Sequence, residues 1–427
     1  MSNLEEIPIF PIAYGDTNLQ LCLPESQSID IISYHMKIED SVRNQDVSIK
    51  KIREALSQPI GTPQLHELAA GKRSAVILIS DGTRLCPSPL LLPPLLQELA
   101  KGGIHDEDID IIIALGLHRK HTEEEMRQLV GEEVFSRIRV HNHSSAAEDC
   151  IRIGVTSAGT PIEINQLAVQ ADLRIVTGNI EPHAMAGISG GVKALVPGIA
   201  SQCCIEHNHS LSLKVQTHAG CMDNPVHQDM EEALKFMSVD FLLNVVVDHN
   251  RHILGATAGH VIAAHRAGAT IAIDHFLVPV NKSYDVVVVS PGGHPKDLQL
   301  YQAIKSLRNA ASITKPGGAI LLVAECSEMF GNGIFQYWVE TKKNREHMVS
   351  KLKQQFVLGA HKVLHLDEVL SKHRVYLYSS LPRPLVSLLG MEQVDDLQST
   401  YNQITAAGPA YTPEIAIMPY GSLTYPV

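Results

Sequence analysis

The run Ala75-Val76-Ile77-Leu78-Ile79 has no polar position, so it cannot serve as a half-exposed strand and has to be buried on both faces. Mostly apolar strand-like runs recur at Ile109 to Ala114, Asp172 to Thr177, Tyr284 to Val289 and Ala319 to Ala324, with a further strand over Arg137 to His141. Helical patterns lie between them. Ser88 caps a leucine-rich helix running to about Ala100, and Thr122 with Glu125 makes a capping box for a helix to Val130. Strands alternating with helices imply parallel βαβ units, an α/β fold whose mainly parallel sheet is covered by helices on both faces.

A chain of 427 residues is too long for one ordinary core. After an amphipathic helix over Ala256 to Ala267 and a segment Ile271 to Val280, a new unit begins near Asn281. It holds the strand Tyr284 to Val289, a helix over Asp297 to Ala310, the strand Ala319 to Ala324, and later strands over Lys362 to Leu366, Val375 to Ser379 and Glu414 to Met418. The expectation is two α/β domains: residues 1–280 binding a cofactor and catalysing, residues 281–427 forming a smaller domain, and the active site in the cleft between them.

A net charge of −11 without a dense Lys/Arg run argues against nucleic acid as a partner. Seven cysteines, odd in number and without CxxC spacing, argue against a disulfide framework or structural zinc and fit a reducing cytoplasm. The acidic, proline-bearing stretch Met1 to Ile12 does not resemble a signal peptide, and no run reaches the roughly 18 apolar residues of a membrane span. Histidine is abundant, 22 in all, and imidazole is both a proton carrier near neutral pH and a metal ligand.

Strand ends sort those histidines. Ligands of open α/β sheets bind beyond the carboxyl ends of the strands, where three polar clusters fall: Ser80 to Arg84, Gly116 to Thr122, and Gly178 to His183. Arg84 offers a planar fork for a carboxylate, and His118 and His183 could act as base and acid on opposite sides of one carbon. The segment Glu181 to Lys193 adds a lysine in glycine-rich backbone. It is not a Walker A loop, because Ala194 follows Lys193. His207 and His209 share a direction on a strand but not on a helix.

Five ordered motifs together resemble the nickel-dependent lactate racemase family. They are Ser80-Asp81-Gly82-Thr83-Arg84; Gly116-Leu117-His118-Arg119; Pro182-His183 with Ala186 to Lys193 and Pro197-Gly198; Asn208-His209; and Tyr301-Gln302-Ala303-Ile304-Lys305. Ile417-Met418-Pro419-Tyr420-Gly421 resembles the family's closing segment. The resemblance implies an isomerase, a racemase or epimerase of a 2-hydroxy acid. It also implies a nickel pincer nucleotide (a pyridinium-3-thioamide-5-thiocarboxylic acid mononucleotide carrying nickel) attached through Lys193, with His209 as the protein ligand to nickel, and cofactor-assembly enzymes as partners. Asp81, Thr83, Gly187, Gly190, Gly191, Tyr301 and Gln302 would contact the cofactor. His118 and His183 would be the acid/base pair, and Arg84 and Lys305 would hold the carboxylate.

Ala184-Met185 stands where lactate-specific members are expected to carry aromatic residues, Val192 where a basic residue is frequent, and Leu85 where proline is usual. Smaller side chains beside His183 imply a roomier pocket, so a bulkier 2-hydroxy acid or a sugar acid competes with lactate. Three other classes are set against this. A metal-dependent hydrolase could use His118, His121, His207 and His209 around zinc. A methyltransferase would suit Lys315-Pro316-Gly317-Gly318 but lacks an acidic GxGxG turn after Val289. A non-catalytic hydroxy-acid-binding protein would never have the cofactor installed.

Overall fold

The computed structural model describes residues 8–24, 27–35, 45–213, 215, 217–342, 344–406 and 412–427. The chain divides into two compact units, one of residues 36–275 and one combining residues 1–35 with 276–427.

The unit of residues 36–275 is built on a six-stranded sheet. Its strands run in the order Ile253–Gly259, Phe241–Val247, Leu173–Asn179, Ala75–Ser80, Ile109–Ala114, Arg139–Asn142. All pairs are parallel except the first, which is antiparallel. Residues 75–79 are buried throughout, as an all-apolar central strand requires. The connecting helices include Ser88–Lys101, which buries Leu91, Leu92, Leu95, Leu96 and Leu99, and Glu123–Val130, whose capping box at Thr122 and Glu125 forms as expected. Three parallel strands end side by side at Ser80, Ala114 and Asn179, so their following loops open at one edge of the sheet.

One expectation in this unit fails. The helix placed over Ala256 to Ala267 is the strand Ile253–Gly259 followed by the helix Val261–Phe276. The strand leans on pairing with Phe241–Val247, and its small residues Gly255, Ala256, Ala258 and Gly259 carry little strand signal of their own.

The second unit also has a six-stranded sheet, all parallel. Its order is Glu392–Gln393, Arg374–Tyr378, Thr314–Val323, Tyr284–Val289, Ile415–Met418, Ile29–Ile31. Its two faces alternate along each strand: Val287, Val289, Ile320 and Leu322 join one core, while Val286, Val288, Leu321 and Ile417 join another. The second core is completed by Ile12 and Leu21 of an antiparallel hairpin (Ile9–Tyr14 with Thr17–Cys22) and by Leu397 and Tyr401. Residues 8–24 and 27–35 therefore fold with the C-terminal part and not with the N-terminal domain expected over 1–280. Without them Val286 and Val288 would lose their cover and Ile415–Met418 would be an open edge. The strand expected at Lys362 to Leu366 is the helix Lys362–Leu370, with Val363, Leu366 and Val369 buried at helical spacing. No helix among the described residues is long and apolar enough to cross a membrane.

Leu78 is 1% exposed and sits between Ile112 and Val176 in the register. Leu78→Ala is expected to cost about 2–5 kcal/mol through lost burial and a residual cavity, read as a lowered denaturation midpoint in urea.

Candidate active site

The loop after Ser80 turns sharply because Asp81 organises it. Asp81 Oδ1 accepts from the Thr83 backbone N–H at 2.7 Å and from the Thr83 hydroxyl at 2.5 Å, and the Arg84 N–H donates to the Asp81 carbonyl at 3.1 Å. Oδ2 faces His118 Nδ1 at 3.1 Å. Burial by itself would raise the Asp81 carboxyl, but the His118 ring, Arg84 and the Thr83 hydroxyl outweigh it and hold the group well below the usual carboxylate range. Asp81 is therefore an acceptor-only carboxylate, and His118 Nδ1 must be the donor. Asp81 and Thr83 thus bond to each other, and Asp81 to His118 as well.

His121 is part of the scaffold. Its Nε2 accepts from the Gly82 N–H at 3.1 Å, and its backbone is clamped by Asn142, which accepts from the His121 N–H and donates to its carbonyl.

The segment after Asn179 forms a small hairpin. Pro182 and His183 pair with Ile188 and Gly187, leaving Ala184-Met185-Ala186 as a three-residue turn. Ser189 pins its base: its hydroxyl accepts from the Glu181 N–H at 2.9 Å and donates to the Asn179 carbonyl at 3.2 Å. At the tip, the backbone N–H groups of Met185 and Ala186 both donate to His183 Nδ1, at 3.2 and 3.1 Å. Gly187 has φ +74°, the left-handed residue that such a turn needs, and a Cβ there would lie 1.7 Å from the Cys221 carbonyl oxygen. Gly190 and Gly191 press on Asn244 and His265, and Asn244 Oδ1 accepts from the Gly191 N–H at 2.8 Å.

Two buried histidines that the sequence reading passed over hold the hairpin from behind. His227 Nδ1 lies 3.0 Å from the Ala186 carbonyl and His265 Nε2 lies 2.8 Å from that of Ser189, the two rings stacked 5.7 Å apart. Burial pushes the His265 imidazole down to about 4, so it works as a neutral donor. Nothing in their local sequence separates them from surface histidines.

Lys193 lies in the turn Gly191–Ala194, whose chain continues into Gly198; the Gly198 carbonyl accepts from the Gly116 N–H at 2.9 Å and ties this turn to the His118 loop. Burial lowers the Lys193 ammonium, Arg84 lowers it further, and Glu181 and Asp81 only partly restore it, leaving it at about 7. Glu181 is itself 4% exposed and stands 4.0 Å from the Arg84 guanidinium. The fold thus gathers Asp81, Arg84, Glu181, Lys193 and His118 into one charged cluster, with His183 two residues from Glu181.

His207 and His209 lie on the helix Gln202–Ser210, so they point apart, and His207 Nε2 sits 3.2 Å from the Ala158 carbonyl. Asn208 between them is buried and donates to Asp229, which also accepts from Thr156 and Thr160. That network fixes the helix carrying His209. Among the described residues no three His, Cys, Asp or Glu side chains gather to hold a metal, and the zinc set of His118, His121, His207 and His209 does not assemble.

In the other unit, Tyr301, Gln302 and Lys305 occupy the first turns of the helix Leu300–Ala311. The Lys362 ammonium lies 4.5 Å from the centre of the Tyr301 ring, and His361 meets the same ring edge-on. Burial, then the charges of Lys362, Arg308, His361 and Lys305, hold the His365 imidazole well below its usual range. Arg308 is in turn paired with Glu368 of the same helix as Lys362, at 3.1 Å.

Residues 14–220 match the lactate racemase N-terminal domain family and residues 280–422 match the lactate racemase C-terminal domain family. The chain is 36% identical over 362 residues to the lactate racemase of Thermoanaerobacterium thermosaccharolyticum, covering 82% of this chain and 81% of that one. It is also 36% identical over 310 residues to the lactate racemase of Lactiplantibacillus plantarum, covering 71% and 70%. The structure of the lactate racemase apoprotein from T. thermosaccharolyticum superposes with a TM-score of 0.86 at 32% identity, over 98% of this chain and 100% of that one. A Thermotoga maritima protein shares the fold at a TM-score of 0.69 and 17% identity, over 91% and 99%.

An amine at about 7 is unprotonated in much of the population at neutral pH. In cofactor-free protein, an amine-acylating reagent followed by peptide mass spectrometry should label Lys193 with a midpoint near that pH, against about 10 for surface lysines. Arg84→Gln should raise the midpoint. Labelling of Lys193 that begins only with the bulk lysines contradicts the environment described.

Proposed function

We infer the function from the premise that this chain belongs to the lactate racemase family and is a racemase, hence an isomerase. The reaction we propose is inversion at C2 of a 2-hydroxy acid, lactate or a bulkier analogue such as a sugar acid, since Ala184 and Met185 put small or flexible side chains beside His183. The observation that carries the reading is Lys193, an amine poised near neutrality next to Arg84, Glu181 and the Asp81–His118 pair.

These side chains fit a nickel pincer nucleotide. A neutral amine can form a thioamide, and a group that brings most of its own metal ligands asks only one of the protein, for which His209 is proposed. When bound, the cofactor supplies an acceptor for the C2 hydride that can also return it. Thr83, Tyr301, Gln302 and the backbone at Gly187, Gly190 and Gly191 are proposed to hold it. Arg84 forms charge-assisted hydrogen bonds to the substrate carboxylate, with Lys305 as a second cation. Acid–base work at the hydroxyl falls to His118 and His183. Seven free cysteines are consistent with cytoplasmic work alongside the cofactor-assembly enzymes.

The test is co-expression with cofactor-assembly enzymes, followed by intact-mass measurement and chiral assay over a panel of 2-hydroxy acids. An adduct of several hundred daltons on Lys193 and interconversion of at least one pair of isomers are expected, both lost in Lys193→Ala. A Lys193→Ala variant with full turnover defeats the tether, and a protein that binds hydroxy acids without inverting any of them defeats the assignment of an activity.

A further inference from the structure

One residue, Ala186, ties His183 to the buried His227. The Ala186 N–H donates to His183 Nδ1 at 3.1 Å, and the Ala186 carbonyl faces His227 Nδ1 at 3.0 Å. A carbonyl can only accept, so His227 Nδ1 carries a proton. Its backbone is fixed as well. The His227 N–H donates to Asn224 Oδ1 at 3.0 Å at the start of the helix Pro225–Glu232, and Asn224 Nδ2 donates to the Cys221 carbonyl at 2.8 Å. The neighbouring Gly220 N–H donates to the Gly187 carbonyl at 2.8 Å, so this segment holds the hairpin at two successive residues.

The other ring nitrogen is served whichever charge the ring carries. His227 Nε2 has Glu231 Oε1 at 3.1 Å and Arg266 Nη1 at 3.2 Å, and Arg266 Nη2 pairs with the same Glu231 oxygen at 2.6 Å. A neutral ring accepts from Arg266; a charged ring donates to Glu231. In both states Nδ1 keeps its proton and its bond to Ala186. His265, from the helix Val261–Phe276 that also supplies Arg266, stacks on the ring as a neutral group and adds no charge to either state.

Resting on the racemase reading, we propose that His227 is a positioning residue for His183: it fixes the Ala186 carbonyl, Ala186 fixes the His183 ring, and Glu231 with Arg266 makes that hold independent of the charge on His227. A ring held at one nitrogen by the Met185 and Ala186 N–H groups cannot turn without losing both bonds, so the placing of Ala186 decides the placing of the ring.

Asparagine and glutamine separate the two ends of His227. In His227→Asn the amide NH₂ takes the place of Nδ1 and still donates to Ala186, while the contacts with Glu231 and Arg266 are lost. In His227→Gln the amide reaches the place of Nε2, keeps those contacts and leaves the Ala186 carbonyl unpaired. The first measurement needs no cofactor: full-length protein labelled with 15N-histidine, its signals assigned by their loss in His118→Gln, His183→Gln and the His227 variants. The His183 Nδ1 signal should persist in His227→Asn and shift in His227→Gln, with the His118 signals unmoved in both. In wild-type protein His227 Nδ1 should read as protonated at about pH 5 and at about pH 8, on both sides of the ordinary imidazole range. This last reading needs no variant and stands even where a substitution prevents folding. A bare Nδ1 on His227 at either pH, or a His183 signal that responds equally to both substitutions or to neither, overturns the proposal. In loaded enzyme His227→Gln should lower kcat by up to about 10²-fold with KM changed less than about threefold, the cost of a misplaced group, and His227→Asn should recover at least about tenfold of that loss. Equal losses in both variants, or a loss confined to KM, overturn it too. Loaded wild-type protein that inverts no 2-hydroxy acid removes the racemase reading instead, while the ring contacts are judged on their own.

Discussion

A buried carboxylate must be compensated, and the way Asp81 obtains compensation sets the layout of the site. Its two oxygens are divided: one closes the Ser80–Arg84 turn through Thr83, the other holds His118. Arg84 then sits within reach of its charge, Glu181 stands beside Arg84, and Lys193 feels all three charges, with burial the largest influence on its basicity. Each charge in the cluster depends on the next. The sheet contributes the premise, by ending three neighbouring parallel strands at one edge.

The second support is polar and backbone-directed. The hairpin carrying His183 and the turn carrying Lys193 are short and irregular, and their carbonyl and N–H groups are satisfied by side chains from distant segments: Ser189 at the base, His227 and His265 behind, Asn244 at Gly191. Loops so held can present a side chain in one orientation, which a preorganised site requires. The depressed basicity of His265 belongs to the same economy, since a neutral ring can donate to Ser189 without a buried charge.

Much of this was legible in the sequence because it rests on local signals. The apolar runs at 75–79 and 284–289 announce central parallel strands, and Thr122 with Glu125 announces a cap. What stayed hidden depends on distant partners. Ile253–Gly259 is a strand because Phe241–Val247 lies beside it, although its own residues are mostly small. Lys362–Leu370 is a helix because Val363, Leu366 and Val369 face one core, while a six-residue window shows only mixed polarity. At the site, Arg84, His118, His183 and Lys193 could be picked from motif and strand end. The contacts that hold them could not, because Asp81 at His118 and the backbone N–H groups at His183 are partners that spacing does not reveal.

The pairing of Ile29–Ile31 with Ile415–Met418 makes the unit of residues 36–275 an insertion within the other one. During synthesis that inserted unit can close as soon as its own last strand and helix have emerged, whereas the edge strand and the hairpin before it wait for a partner almost four hundred residues downstream. Ile12 and Leu21 stay uncovered through that interval, a long-range closure of the kind that folds slowly and exposes apolar surface to other chains. The loops carrying His118 and His183 thus lie on the part of the molecule that can be finished early, and the unit whose helix carries Tyr301 and Lys305 is completed last.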